Sequence, residues 1–308
     1  MPGINITARL FCLAVFLLSL AACQSESSNG GSDHQSPAVD SAESAVENEV
    51  PAPSEAWVAF VDQYIEDYLA THPGFAVVQG RHEYDGQLQD WSAEGLAREV
   101  ERLKQAKEQA LAFTDEELGP EGSFQREYLL AAIDRALFWL DKAEWPFVNP
   151  AFYFDWMSDS LDPSPYITLD YAPLEERMKS YVRYAQSVVR AVGQIRENLR
   201  MPMARTRLQY GIDSFGGMAA YFRNDVPTVF AAVENPELQD AFAEANTAAA
   251  DAMQELTDWL SANLATATED YALGADLFSQ MIYDTERVEI PLDELEAMGQ
   301  EDMRRNQI

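Results

Sequence analysis

The chain has 308 residues, 47% of them hydrophobic and 11% aromatic, enough for a sizeable core in one large or two ordinary domains and too apolar to be disordered throughout. Its 52 acidic against 21 basic residues give a formal net charge of −31, a field that repels phosphate backbones and argues against nucleic acid as a partner. The 2 cysteines are Cys12 and Cys23, so no disulfide and no thiolate metal site is available to the rest of the chain.

The first predicted element is a targeting segment. Arg9 precedes an apolar run from Leu10 to Ala22, which ends in Leu20-Ala21-Ala22-Cys23. A basic residue, a short apolar stretch and small residues before a cysteine are the parts of a lipoprotein signal peptide, and the run is too short to span a bilayer. Residues 1–22 are therefore expected to be removed and Cys23 lipidated. Lipid on both the Cys23 thiol and its new amino group gives two anchoring signals, where one chain would be marginal. Gln24, rather than Asp, follows the cysteine and leans towards the outer membrane of a Gram-negative cell, with the protein facing the periplasm. Residues 23–53 are Ser-, Gly-, Glu- and Pro-rich without an aromatic residue, and read as a tether with a reach of about 30 Å. His34 falls in it.

From Ser54 the period becomes 3.6. Trp57, Phe60, Val61, Tyr64, Ile65, Tyr68 and Leu69 predict an amphipathic helix with Ser54 as its N-cap, stopped at His72-Pro73-Gly74. A second helix is predicted from about Ser92 to Phe113 and a third from Ser123 to about Lys142. The segment Trp145–Tyr171 holds Pro146, Pro150, Pro163 and Pro165 among Phe147, Phe152, Tyr153, Phe154, Trp156 and Tyr166, and reads as one long ordered loop packed on the body. Pro173 then opens a helix that ends by Met201-Pro202, followed by helices over about Ala204–Phe222, from Asn235-Pro236 to Leu264, Tyr271–Thr285 and Pro291–Arg304. Val288-Glu289-Ile290 is the best extended piece. The predicted class is all-α, a multi-helix bundle or array over residues 54–308.

Motifs with chemistry are sparse. Arg81-His82-Glu83-Tyr84-Asp85-Gly86 begins like a zinc-protease helix, but the second imidazole of HExxH is replaced by Gly86, and the glycines suggest a turn instead. No GxSxG elbow and no phosphate-cradling Gly loop is present. Asp155, Asp159, Asp162 and Asp170 form either a carboxylate cluster for calcium or acid–base work or a set of solvated loop residues. Tyr153, Trp156 and Tyr166 are candidate cleft-lining residues, or else pins holding the loop to the body. Met201, Met203 and Met218 read as packing residues. No catalytic, cofactor-binding or metal-ligating residue is assigned, and Cys23 is the one modification site.

Several stretches taken together resemble the bacterial domain-of-unknown-function 885 family. They are His72-Pro73, Gly80-Arg81-His82-Glu83-Tyr84-Asp85-Gly86-Gln87-Leu88, Leu174-Glu175-Glu176-Arg177-Met178, Glu197-Asn198-Leu199, and Leu273-Gly274 with Leu277-Phe278. The resemblance runs from about residue 55 to Ile308. It implies a secreted or lipid-anchored helical protein about twice this length, similar to gluzincin-type zinc peptidases with a deep cleft. The family's metal motif, a His-Glu pair followed by Pro-Gly-His and a further Glu, has no counterpart in this sequence. The expectation is thus an N-terminal half that is inactive alone, with zinc and a peptide substrate belonging to the complete protein. The rival expectations are a short helical lipoprotein serving as a binding or scaffold module, and a metal-independent hydrolase using the loop carboxylates.

Overall fold

The computed structural model describes residues 52–154 and 161–307. The signal segment, Cys23, nearly all of the tether, and Asp155, Trp156 and Asp159 lie outside them. The predicted class holds: the elements are helices, and among the described residues the only β pairing is an isolated bridge between Ala204 and Thr268. Val288–Ile290 lies outside the helices and forms no strand.

Helix α1 (Glu55–Thr71) starts where Ser54 accepts a hydrogen bond from Trp57 N, 3.3 Å away. It ends before His72, and Pro73 occupies the first turn of a second, short helix, α2 (Pro73–Val78). A proline there gives up only an N–H that has no helical partner anyway, so the residue that stops one helix starts the next. A 3₁₀ turn over His82–Tyr84 leads to α3 (Ala93–Ala112), capped by Ser92. The following helix, α4 (Asp115–Leu137), begins eight residues before the predicted Ser123. Thr114 and Glu117 form a reciprocal capping box, and the helix bends at Gly119-Pro120 rather than starting after it. A π-helical turn (Phe138–Lys142) closes α4 at the predicted end.

The expected single loop over 145–171 is instead broken into short helical pieces. These are α5 (Trp145–Val148), a 3₁₀ turn (Pro150–Phe154) and α6 (Ser164–Ile167). Pro146 and Pro165 sit in the first turns of α5 and α6, the positions where proline is compatible with a helix. The segment is packed on the body as expected, with Phe152, Tyr153 and Tyr166 buried.

Helices α7 (Leu174–Asn198), α8 (Arg205–Asn224) and α10 (Pro236–Ala262) form the main body. The short α9 (Val226–Phe230), which the sequence reading does not separate, joins the last two. α10 packs on both α7 and α8, the two most extensive helix pairings. At their centre Tyr181 is surrounded by Phe222, Phe230 and Phe242, with ring centroids 5.4–6.4 Å apart. Its hydroxyl donates to Asn246 Oδ1 at 2.6 Å, and Asn246 Nδ2 donates to Phe222 O at 2.7 Å. Burying this phenol therefore leaves no polar group unsatisfied along that path.

A second, smaller core joins α1, α3 and α4 through Trp57, Val61, Leu103, Leu118 and Ile133. Trp57 is fully buried, and its indole N–H donates to Gln125 Oε1 at 2.9 Å. Helix α11 (Ala275–Glu286) lies on α4. Lys142 donates to the buried Asp284 at 2.8 Å, and Asp134 receives both Lys107 and Arg287. Helix α12 (Leu292–Asn306) follows with no buried residue of its own.

Candidate functional site

The segment that begins like a zinc-protease helix is a clasp between α2 and α7. Arg81 reaches back to Glu66 through both terminal nitrogens, at 3.0 and 2.9 Å, and its Nε donates to Glu83 at 2.6 Å. These charge-assisted bonds hold the Glu83 carboxyl below its usual range. His82 stacks on Tyr171 at a centroid distance of 3.9 Å, with Nδ1 3.2 Å from Asp85 Oδ1.

Asp85 is the hub of the clasp. Its side chain is 7% exposed, and Oδ2 accepts from Tyr171 Oη at 3.0 Å and Ser180 Oγ at 2.8 Å. Burial and the neighbouring Asp85 carboxylate push the Tyr171 phenol up to about 12. Gly86 follows with φ +82°, a conformation that disfavours a side chain. A Cβ at this position would lie 2.4 Å from Arg183 Cβ and 3.0 Å from Ser180 O. Only glycine lets the turn approach α7 this closely. Gly86 N donates to Tyr166 Oη at 2.8 Å, and Gly86 O accepts from Ser187 Oγ at 2.9 Å.

The clasp leaves an open cleft of about 520 Å³ along α7. Its walls include His82 and Gln87 from the turn and Arg183, Gln186, Ser187 and Arg190 from the helix. Those four helix residues follow i, i+3, i+4 and i+7, so they share one face. Arg183 Nε donates to Asp85 O at 3.3 Å and Nη2 donates to Ser180 Oγ at 3.0 Å.

The residues singled out in the sequence are distributed differently. Tyr153 and Tyr166 are 0% and 2% exposed, so both belong to the core and neither lines this cleft. Tyr153 Oη donates to Pro146 O at 2.8 Å and accepts from Asn198 Nδ2 at 3.1 Å. Burial pushes its phenol well above the usual tyrosine range. Each aromatic pins the 145–171 segment to α7 or to the clasp, the alternative reading of these residues. Trp156, the third of them, lies outside the described residues, as do Asp155 and Asp159. Asp162 is committed locally, accepting from Ser164 N at 2.9 Å and Ser164 Oγ at 2.6 Å. Asp170 is exposed and 3.3 Å from Arg177. Met203 is buried, and Met201 and Met218 pack against the main core.

The zinc implied by the family resemblance finds no matching donor set in these residues. His72 is buried, stacked on Tyr68 at 4.1 Å, with Nδ1 3.0 Å from both Tyr68 O and Thr71 Oγ1. His82 is held against Tyr171 and Asp85 as described. Among the described residues no group of three or more His, Cys, Asp or Glu side chains is placed to share a metal ion. Nor is any helix among them long and apolar enough to cross a membrane.

The described residues thus form an all-helical protein in which a glycine-dependent turn docks on a body of α7, α8 and α10. Residues 73–308 match the family described as bacterial protein of unknown function (DUF885), and the chain belongs to that family. No curated protein matches it. Among solved structures, the chain is similar to a protein from Shewanella oneidensis described as a candidate lipoprotein of unknown function, with a TM-score of 0.70 and 16% identity. That likeness, at this identity a likeness of fold, covers 81% of this chain and 46% of the other. The chain thus spans about half the length of the solved relative.

Proposed function

We propose that this chain is a lipid-anchored cell-envelope protein whose helical body supplies the N-terminal half of a longer family protein, without hydrolytic chemistry of its own. The observation that carries the reading is the asymmetry of coverage, 81% of this chain against 46% of its solved relative. Further support comes from α11 and α12, where Phe278, Tyr283, Met298 and Met303 are all exposed apolar or aromatic side chains. Exposed apolar side chains of this kind are expected where another part of a fold docks. The anchor rests on Leu20-Ala21-Ala22-Cys23, and the solved relative is also described as a candidate lipoprotein. Cys23 carries the lipid, the protein faces the periplasm, and the absence of Asp at position 24 favours the outer membrane.

In this reading the peptidase resemblance belongs to the complete protein. A zinc ion held there by the family's His and Glu motif would supply Lewis-acid activation for peptide hydrolysis, and the helical body would contribute one wall of the substrate cleft. A second reading, a binding or scaffold module, is favoured by one observation, the polar cleft between the clasp and α7.

The test is direct. The full chain, purified in nonionic detergent, is dialysed against micromolar zinc, assayed for bound metal and incubated with a mixed peptide pool. The expected result is no stoichiometric zinc and no cleavage. One zinc per chain with metal-dependent cleavage would overturn the proposal.

A further inference from the structure

In a chain with a net charge of −31, Lys and Arg side chains have an abundance of carboxylates to choose from. Arg81, Arg98, Arg102, Arg126, Arg200 and Arg223 each have one within 3 Å. Among the described residues, Arg196 and Arg207 form no ion pair with a carboxylate but lie over the Trp259 and Trp145 rings, whereas Arg183 and Arg190, equally without one, face a shared cleft.

The two acidic residues at that cleft's rim are already engaged. Glu83 is bound to Arg81 at 2.6 Å, and the Asp85 carboxylate is occupied by Tyr171, Ser180 and His82. Arg183 is also pre-positioned. Two of its nitrogens are held by Asp85 O and Ser180 Oγ, which leaves Nη1 for an incoming acceptor with part of the side-chain ordering cost already met. Arg190 lies two helical turns further along α7, about 10 Å by helix rise. Gln186 and Ser187 sit between the two on the same face. A pair of planar, permanently charged donor forks separated by amide and hydroxyl groups suits oxyanions on one small molecule.

We propose that the cleft between the His82–Gly86 turn and α7 binds a small polyanion whose phosphoryl or carboxylate oxygens are held by Arg183 and Arg190. This site is independent of the two-part reading above, since every residue in it lies within this chain. The surrounding negative field limits affinity for such a ligand, and added salt screens both that repulsion and the attraction of the two local cations.

The test is calorimetric titration of the full chain in nonionic detergent, at low salt, with inorganic tripolyphosphate and with citrate. Arg190→Gln is the decisive variant, because Arg190 has no described intramolecular bond to lose. It should weaken binding about tenfold or more, the scale of one lost charge-assisted contact. Arg183→Gln should do the same, and Arg305→Gln on α12 should leave binding unchanged. Binding of tripolyphosphate alone assigns a phosphoryl ligand, and binding of citrate alone assigns a carboxylate one. No binding of either probe at millimolar concentration, or equal binding by wild type and Arg190→Gln, would overturn the proposal.

Discussion

The close approach of Gly86 to α7 is testable with a matched pair of alanine substitutions. Gly80 and Gly86 share φ +82°, but a Cβ at Gly80 would meet nothing within 4 Å, whereas at Gly86 it would lie 2.4 Å from Arg183 Cβ. Gly80→Ala therefore reports the backbone term alone. Alanine at positive φ costs about 1–2 kcal/mol, and the reduced freedom of the unfolded chain returns about 0.4–1 kcal/mol, so the expected loss is about 1 kcal/mol. Gly86→Ala carries the same term plus a clash between a helix and a turn that are both fixed. Overpacking of that kind costs about 1–3 kcal/mol, which brings the expected loss to about 2–4 kcal/mol. Urea unfolding of the full chain, followed by far-UV circular dichroism, measures both, and an unchanged m-value confirms that the comparison is of stability. A Gly86→Ala variant within about 0.5 kcal/mol of Gly80→Ala, the scale of ordinary surface substitutions, would refute the close approach.

Three further outcomes follow from the geometry. Asn198 Nδ2 donates to Trp91 O at 2.6 Å inside the core, so Asn198→Leu strands a buried carbonyl and should cost about 2–3 kcal/mol in the same unfolding assay. Thr114→Ala removes the capping box of α4 and should cost about 1 kcal/mol. Hydrogen bonds from Thr114 also hold the Glu117 carboxyl below its usual range. A depressed carboxyl stabilises the fold above its unfolded pKa and loses that contribution as pH falls, so Thr114→Ala, which keeps the backbone donor and loses only the hydroxyl, should flatten the acid limb of a stability-versus-pH profile only in part. In alkali the sign reverses. Burial, opposed by Arg102, raises the Tyr64 phenol to about 12, and burial with Asp85 raises Tyr171 to about 12. Stability from these two groups is complete below the unfolded tyrosine value near 10 and is lost as pH rises towards 12. Ionisation of both phenols near pH 10 with the fold intact, read from tyrosinate absorbance, would contradict this.

Periodicity made most of the helical body legible. The caps at Ser54, Ser92 and Asn235 are local signals, and each accepts the expected backbone N–H. Thr114-x-x-Glu117 is a signal of the same kind, but Gly119 and Pro120 shortly after it read as a helix breaker, although they only bend α4. Prolines hid α2, α5 and α6 for the converse reason. A proline in the first turn is indistinguishable in sequence from one that ends a helix.

The site was less accessible. The spacing of Arg183, Gln186, Ser187 and Arg190 marks one helix face, yet nothing local distinguishes a cleft wall from a solvated surface. What makes it a wall is the clasp, and contacts such as Ser180 to Asp85 join residues 95 positions apart. Tyr153 and Tyr166 show the opposite limit. An aromatic in a Pro-rich segment carries no sequence mark of whether it faces a cleft or the core, and here both face the core.

The central claim, that this helical body is one half of a larger envelope protein, is tested most directly by the intact mass of the lipoprotein isolated from its native membranes. The account predicts a mass about twice the 34.5 kDa of this chain, with lipid on Cys23. A lipidated species no heavier than this chain after loss of residues 1–22 would contradict it.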